Sequence, residues 1–151
     1  MEYLYQEKQK FNQWWLWITL CVFPILSLIP FDNSGINYNY VLIGFGIPLL
    51  FYFLEFRIYV THEKIYYQFY PIHLNKKVIK IKDIIKIEPI KYKPILEYGG
   101  WGIRYTFSGK AYNVKGNLGV KLYLKNQRHI LFGSQNHNQL GAVLQKLLNN
   151  N

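Results

Sequence analysis

The first residues that could do chemistry are residues 62–66, His-Glu-Lys-Ile-Tyr, one histidine short of H-E-x-x-H. That pattern needs two imidazoles one helical turn apart, and here Tyr66 stands in the second place, inside a strand-like stretch. The other histidines, His73, His129 and His137, have no carboxylate pair or cysteine beside them in sequence. The acids are too few and too dispersed for a general acid–base pair, and no G-x-S-x-G elbow occurs. No catalytic or metal-ligating residue and no cofactor is therefore assigned, and a non-enzymatic protein is expected. Cys21 is the only cysteine, so neither an internal disulfide nor a cysteine-based zinc site can form.

A second candidate is residues 97–119, EYGGWGIRYTFSGKAYNVKGNLG, with six glycines. A phosphate-cradling loop places its glycines between a strand and a helix N-terminus, in G-x-x-x-x-G-K-[ST] or G-x-G-x-x-G. The spacing here fits neither, and strands follow the glycines, so they read as bends and turns. Trp101, Ile103, Tyr105 and Phe107 alternate onto one face, expected to be core. Arg104 points the other way and, with Lys110 and Lys115, is a candidate ligand or partner contact.

The third candidate is charge. From residue 57 onward there are sixteen Lys or Arg against Glu63, Asp83, Glu88 and Glu97, about +12. Seven lysines fall within residues 76–93, and Lys76, Lys77, Lys80 and Lys82 are the candidate contacts to anionic lipid. Each lysine near an anionic leaflet contributes about 1 kcal/mol of attraction. Nucleic acid also attracts such charge, and Tyr66, Tyr70 or Tyr92 would be the residues to stack on bases. It is disfavoured because no recognisable binding motif accompanies the charge. Plain solvation of the lysines is the competing reading.

Two charge-poor runs precede this region. Residues 11–31 read FNQWWLWITLCVFPILSLIPF, and residues 38–56 read YNYVLIGFGIPLLFYFLEF. At about 1.5 Å per residue each run is roughly 30 Å long as a helix, the thickness of a bilayer core. Trp14, Trp15 and Trp17 flank the first and Tyr38 and Tyr40 the second, as interface anchors do. Two transmembrane helices joined by the short loop at residues 32–37 are expected. Flanking Lys8, Lys10, Arg57 and Lys64 put both ends in the cytoplasm, so a multi-pass inner (plasma) membrane protein is expected. Gly44, Gly46 and Ser27 would allow close helix contact.

Beyond residue 57 the period becomes two. RIYVT, IYYQFY, KVIKIK, IIKIE, WGIRYTF, AYNV, GVKLYL and HILFG read as short strands separated by turns, including residues 94–100 and Ser108-Gly109. Leu140, Val143, Leu144, Leu147 and Leu148 form one stripe of a closing helix, with Asn136 and Gln139 as a capping box. The expected fold is α+β: a transmembrane hairpin in residues 1–56, then a small antiparallel β-barrel or sandwich in residues 57–151, capped by a C-terminal helix.

That order resembles the pleckstrin-homology-like superfold, and the layout resembles bacterial membrane proteins that carry a PH-like domain. The matching residues are GGWGIR (99–104), AYNVKGNLGVKLYL (111–124) and ILFGSQNHNQLGAVLQKLL (130–148). The resemblance implies a binding or scaffold module on a basic cytosolic domain, engaging a partner protein or anionic lipid headgroups. The alternative is an accessory subunit of a larger membrane transport or secretion complex. Fold alone names no ligand.

Overall fold

Strict alternation in the C-terminal two-thirds becomes strands, and the apolar stripe near its end becomes a helix. The computed structural model describes residues 2–29, 38–107 and 109–150. In chain order these form β1 (Tyr5–Lys10), α1 (Trp14–Ser27), α2 (Tyr38–Phe53), β2 (Glu55–Val60), β3 (Lys64–Tyr70) and β4 (Lys77–Lys80). A 3-10 turn (Ile81–Asp83) leads to β5 (Ile84–Lys91), α3 (Pro94–Tyr98), β6 (Gly102–Thr106), β7 (Gly109–Asn113), β8 (Leu118–Leu124), β9 (His129–Gly133) and α4 (His137–Asn149). The chain divides into two units, one formed by β1 with everything from Glu55 onward, the other by Lys10–Leu54.

The larger unit contains two sheets, ordered β1-β2-β3-β4 and β5-β8-β9-β7-β6. Phe56, Ile58 and Val60 of β2 and Ile65, Tyr67 and Phe69 of β3 fill the inner face of the first sheet. They meet Tyr112 and Phe132 of the second. The ring of Phe56 stacks 5.5 Å from Phe69 and 6.0 Å from Tyr112, and Tyr67 lies 5.0 Å from both Tyr112 and Phe132. Each such pair contributes about 0.5–1.5 kcal/mol beyond the area it buries. Leu140, Leu144 and Leu147 of α4 are buried, and the helix packs on β5, β8 and the 3-10 turn. At its start Asn136 makes no side-chain cap, so the expected capping box does not form. The Asn136 carbonyl accepts from Leu140 N, and its own N–H donates to Ser134 Oγ at 3.0 Å.

Strand β1 escapes the sequence reading, yet it carries a buried polar network. Glu7 accepts from Tyr5 Oη and Ser134 Oγ, each at 2.6 Å, and from Gln135 N at 3.0 Å. Gln9 donates to the Gly133 carbonyl at 2.7 Å. These bonds fasten the edge of the first sheet to the segment between β9 and α4.

The smaller unit pairs α1 with α2. Phe11 meets Phe51 at 5.4 Å, and a Cβ on Gly44 would stand 2.6 Å from Ser27 Cβ, so the helices run antiparallel and cross closely at Gly44. Gly46 faces open space.

Several expectations are overturned. Helix α1 has 14 residues and α2 has 16, or roughly 21 and 24 Å, short of the ~30 Å a bilayer core requires. Among the described residues no helix is long and apolar enough to cross a membrane. The two-span hairpin, and the multi-pass inner-membrane placement with cytoplasmic ends, are corrected accordingly. Freedom from charge extends beyond the helix itself: α1 begins only after Gln13, whose carbonyl accepts from Leu16 and Trp17, and closes at Leu28. Trp14, Trp15, Trp17, Tyr38 and Tyr40 thus flank helices shorter than a bilayer, and the expected loop at residues 32–37 lies outside the described residues.

The β part is two separate sheets rather than a closed barrel, and β7 runs parallel to β9, so the unit is not wholly antiparallel. Residues 94–100, expected as a turn, contain helix α3, which Gly99 ends at φ 71°. Tyr105, on the edge strand β6, and Phe107, in the turn after it, are exposed rather than core. The expected turn at Ser108 lies outside the described residues.

Replacing Phe56 by Ala is expected to lower stability by about 3–5 kcal/mol, read from the urea midpoint, since one ring bridges both sheets. A midpoint equal to wild type would show that the sheets are joined otherwise. A second test is alkaline. Burial and the Glu7 carboxylate push the Tyr5 hydroxyl up, burial pushes Tyr92 up to about 12, and burial followed by Tyr67 pushes Tyr112 up. The stability these groups contribute is complete below the ordinary tyrosine value near 10 and is lost as pH rises through their raised folded values, about 12 for Tyr92. Denaturation midpoints should therefore fall above about pH 10; midpoints constant to pH 12 would contradict it.

Candidate binding face

The registers of the first sheet decide which cations share a surface. Tyr59 pairs with Tyr66, Arg57 with Gln68 and Lys64 with Lys80, so these side chains project from the outer face, opposite the aromatic core. Lys8 projects outward from β1, whose buried positions are Tyr5, Glu7 and Gln9. Lys76 reaches the same face, its Nζ 4.7 Å from the Tyr59 ring centre. Arg57 lies 5.2 Å over Tyr70 and bonds Glu55 at 3.0 Å. Lys8, Lys64, Lys76 and Lys80 have no acid partner among the described ion pairs. At one end, Glu63, Lys64, Lys80, Ile81 and Lys82 line an open depression of about 440 Å³.

The outer face of the second sheet is different. Lys86 bonds Glu88 at 2.6 Å, and Lys121 stands across from Glu88 in register. Hydrogen bonding from Lys86 holds the Glu88 carboxyl below its usual range, with the Lys121 charge adding to the effect. Tyr92, Tyr98, Ala111 and Leu131 form an apolar cluster on that side. Part of the charge is paired there, through Glu88, whereas Lys8, Lys64, Lys76 and Lys80 of the first sheet have no such partner among the described ion pairs.

The four lysines expected to act together are divided. Lys76 and Lys80 share the outer face, and Lys82 sits in the 3-10 turn beside the depression. Lys77 turns the other way, its Nζ 5.9 Å over the ring of Tyr112. Arg104, Lys110 and Lys115 are also separated. Arg104 pairs with Ala111 and shares its face, while Lys110 pairs with Tyr105 on the opposite one. Lys115 lies in the turn after β7, where its carbonyl accepts from Gln135 Nε2 at 3.1 Å. Tyr66 and Tyr70 lie on the outer face, but Tyr92 is buried and gives its hydroxyl to Asn113 as an acceptor at 3.1 Å.

Lys8, Arg57, Lys64 and Tyr59 were missed as members of this surface. For Arg57, Tyr59, Lys64 and Tyr66 the signal was present, since period two in RIYV and KIYY places them on one side. For Lys8 it was not, because β1 itself went unrecognised. The glycine-rich stretch holds no phosphate loop: Gly109 lies where a Cβ would collide with the His129 carbonyl, so it serves strand packing. Among the described residues no group of His, Cys, Asp and Glu is placed to hold a metal ion. No protein-family model and no curated protein matches the chain.

Burial, with Lys77 and Lys110 nearby, pushes the His73 imidazole down, and burial with Lys121 does the same to His129. Both are neutral in the fold, and this stability is present above the ordinary value near 6.5 and lost as pH falls through the depressed folded values. NMR titration should show both imidazoles protonating below pH 6.5. Either one protonating at or above that value would contradict the assignment.

Proposed function

We propose that this chain is a non-enzymatic binding module whose four-stranded sheet lays its outer face on an anionic headgroup surface. The observation that carries this is the gathering of Lys8, Lys64, Lys76 and Lys80 on one sheet face, none of them in a described ion pair, with Glu55 already held by Arg57 and Glu63 at the edge beside Lys64. Four lysines at about 1 kcal/mol each are enough for measurable attraction to an anionic bilayer. The tyrosines add an apolar body with a polar tip, suited to the headgroup layer. Two of these rings are already covered by cations, Tyr59 by Lys76 and Tyr70 by Arg57, which disfavours base stacking on them. The order of strands followed by a closing helix supports a PH-like reading, although the parallel β7–β9 pair departs from an all-antiparallel plan.

The test is flotation of the full chain with vesicles of phosphatidylcholine alone or mixed with phosphatidylserine. The readout is the difference between the two, because α1 and α2 expose large apolar side chains that need no charge to adsorb. Anionic vesicles should bind preferentially, the preference should vanish in high salt, and K64E/K80E should weaken it by at least about thirtyfold. Equal flotation with both vesicles, or an unaffected double variant, would sink the proposal.

A further inference from the structure

A second basic region lies away from the sheet face, at the end of the inter-sheet core. There a cavity of about 360 Å³ opens between the β6–β7 edge and the β8–β9 hairpin, with Tyr67, Tyr105, Lys110, Asn126, Arg128 and His129 in its wall. Among the described residues no carboxylate lines it. Lys110 sits 5.0 Å from the centre of the Tyr105 ring, and Tyr105 is 68% exposed although it belongs to a strand. The hairpin that carries Arg128 is held in place: Leu124 N donates to the Arg128 carbonyl at 2.9 Å, and Arg128 N to Asn126 Oδ1 at 3.2 Å. The positive charge extends past the wall, since Lys77 and Lys110 both act on the His73 imidazole and help to keep it uncharged.

Cations that converge without a counter-ion leave an uncompensated positive potential, and a concave wall focuses it. Rings beside such a charge give a flat apolar surface that water solvates poorly. The volume lies at the lower end of the range for small-molecule sites, room for one ring with one charged group. We infer that this cavity is a binding site for a small aromatic anion, with Lys110 and Arg128 holding a phosphate or carboxylate and Tyr105 packing against the ring. Arg128 supplies a planar fork of donors and Lys110 a point charge, a pairing suited to either oxyanion.

The experiment is calorimetric titration of the full chain with three probes: phenyl phosphate, inorganic phosphate and phenol. Phenyl phosphate should bind about tenfold more tightly than phosphate, the worth of one aromatic contact, and phenol should be the weakest. K110Q and R128Q should each weaken phenyl phosphate by about tenfold or more. Y105L should leave phosphate unchanged and remove the advantage of the ring. The K64E/K80E variant should bind phenyl phosphate as wild type does, which separates this site from the sheet face. The inference is overturned if phenyl phosphate gives no heat, if phosphate binds equally well, or if K110Q/R128Q binds like wild type. It is also overturned if K64E/K80E abolishes binding, since the anion would then sit on the sheet face.

Discussion

The ring of Phe56 is the contact on which the larger unit depends, because it stacks on Phe69 in its own sheet and on Tyr112 in the other. Two sheets of four and five strands share no strand-pairing hydrogen bonds across their faces, so at the centre side-chain packing holds them together. Phe56, Phe69, Tyr112 and Phe132 are all fully buried, and Tyr67 nearly so. Dense packing of large rings leaves little room for adjustment, and this makes the face of each strand a consequence of which rings point inward. Arg57 of β2, Lys64 of β3 and Lys80 of β4 lie together on the outer face for that reason, while Lys77 of β4 turns inward over Tyr112.

The Glu7 network does for the edges what the rings do for the centre. A buried carboxylate is costly unless its oxygens are satisfied, and here three donors converge on it. One of them, Ser134 Oγ, also accepts from Asn136 N, so the bonds that secure β1 also organise the approach to α4. The segment leading into the C-terminal helix is therefore held by a residue more than a hundred positions away, in place of the local capping box that the Asn136–Gln139 spacing suggests.

The two basic regions differ in what surrounds the charge. On the outer sheet face the lysines are spread over an open surface with partly exposed tyrosines, a geometry for contact with another surface. At the inter-sheet cavity Lys110 and Arg128 line a recess, a geometry for enclosing a small molecule. Lys76 and Lys77 are neighbours in sequence yet turn to opposite regions, one over Tyr59 and the other over Tyr112. Adjacent positions on an extended chain point to opposite faces, so a run of lysines marks a basic protein rather than a basic site.

By itself the sequence determined most of the local elements of the larger unit, though not helix α3, which it read as a turn. Alternation located β2 to β9, and the spacing of Leu140, Leu144 and Leu147 located α4, because both signals come from how a chain buries every second or every third and fourth residue. It could not reveal β1, where Tyr5, Glu7 and Gln9 point inward as a polar row that looks like an ordinary solvated tail. Nor could it set helix length in the charge-free runs, where composition permits a helix without saying where it stops. The tertiary structure decided the rest: two sheets instead of a barrel, β9 inserted between β8 and parallel β7, and Tyr105 turned outward on an edge strand. These follow from which strands pair, and pairing between distant segments depends on side-chain fit that no local period encodes.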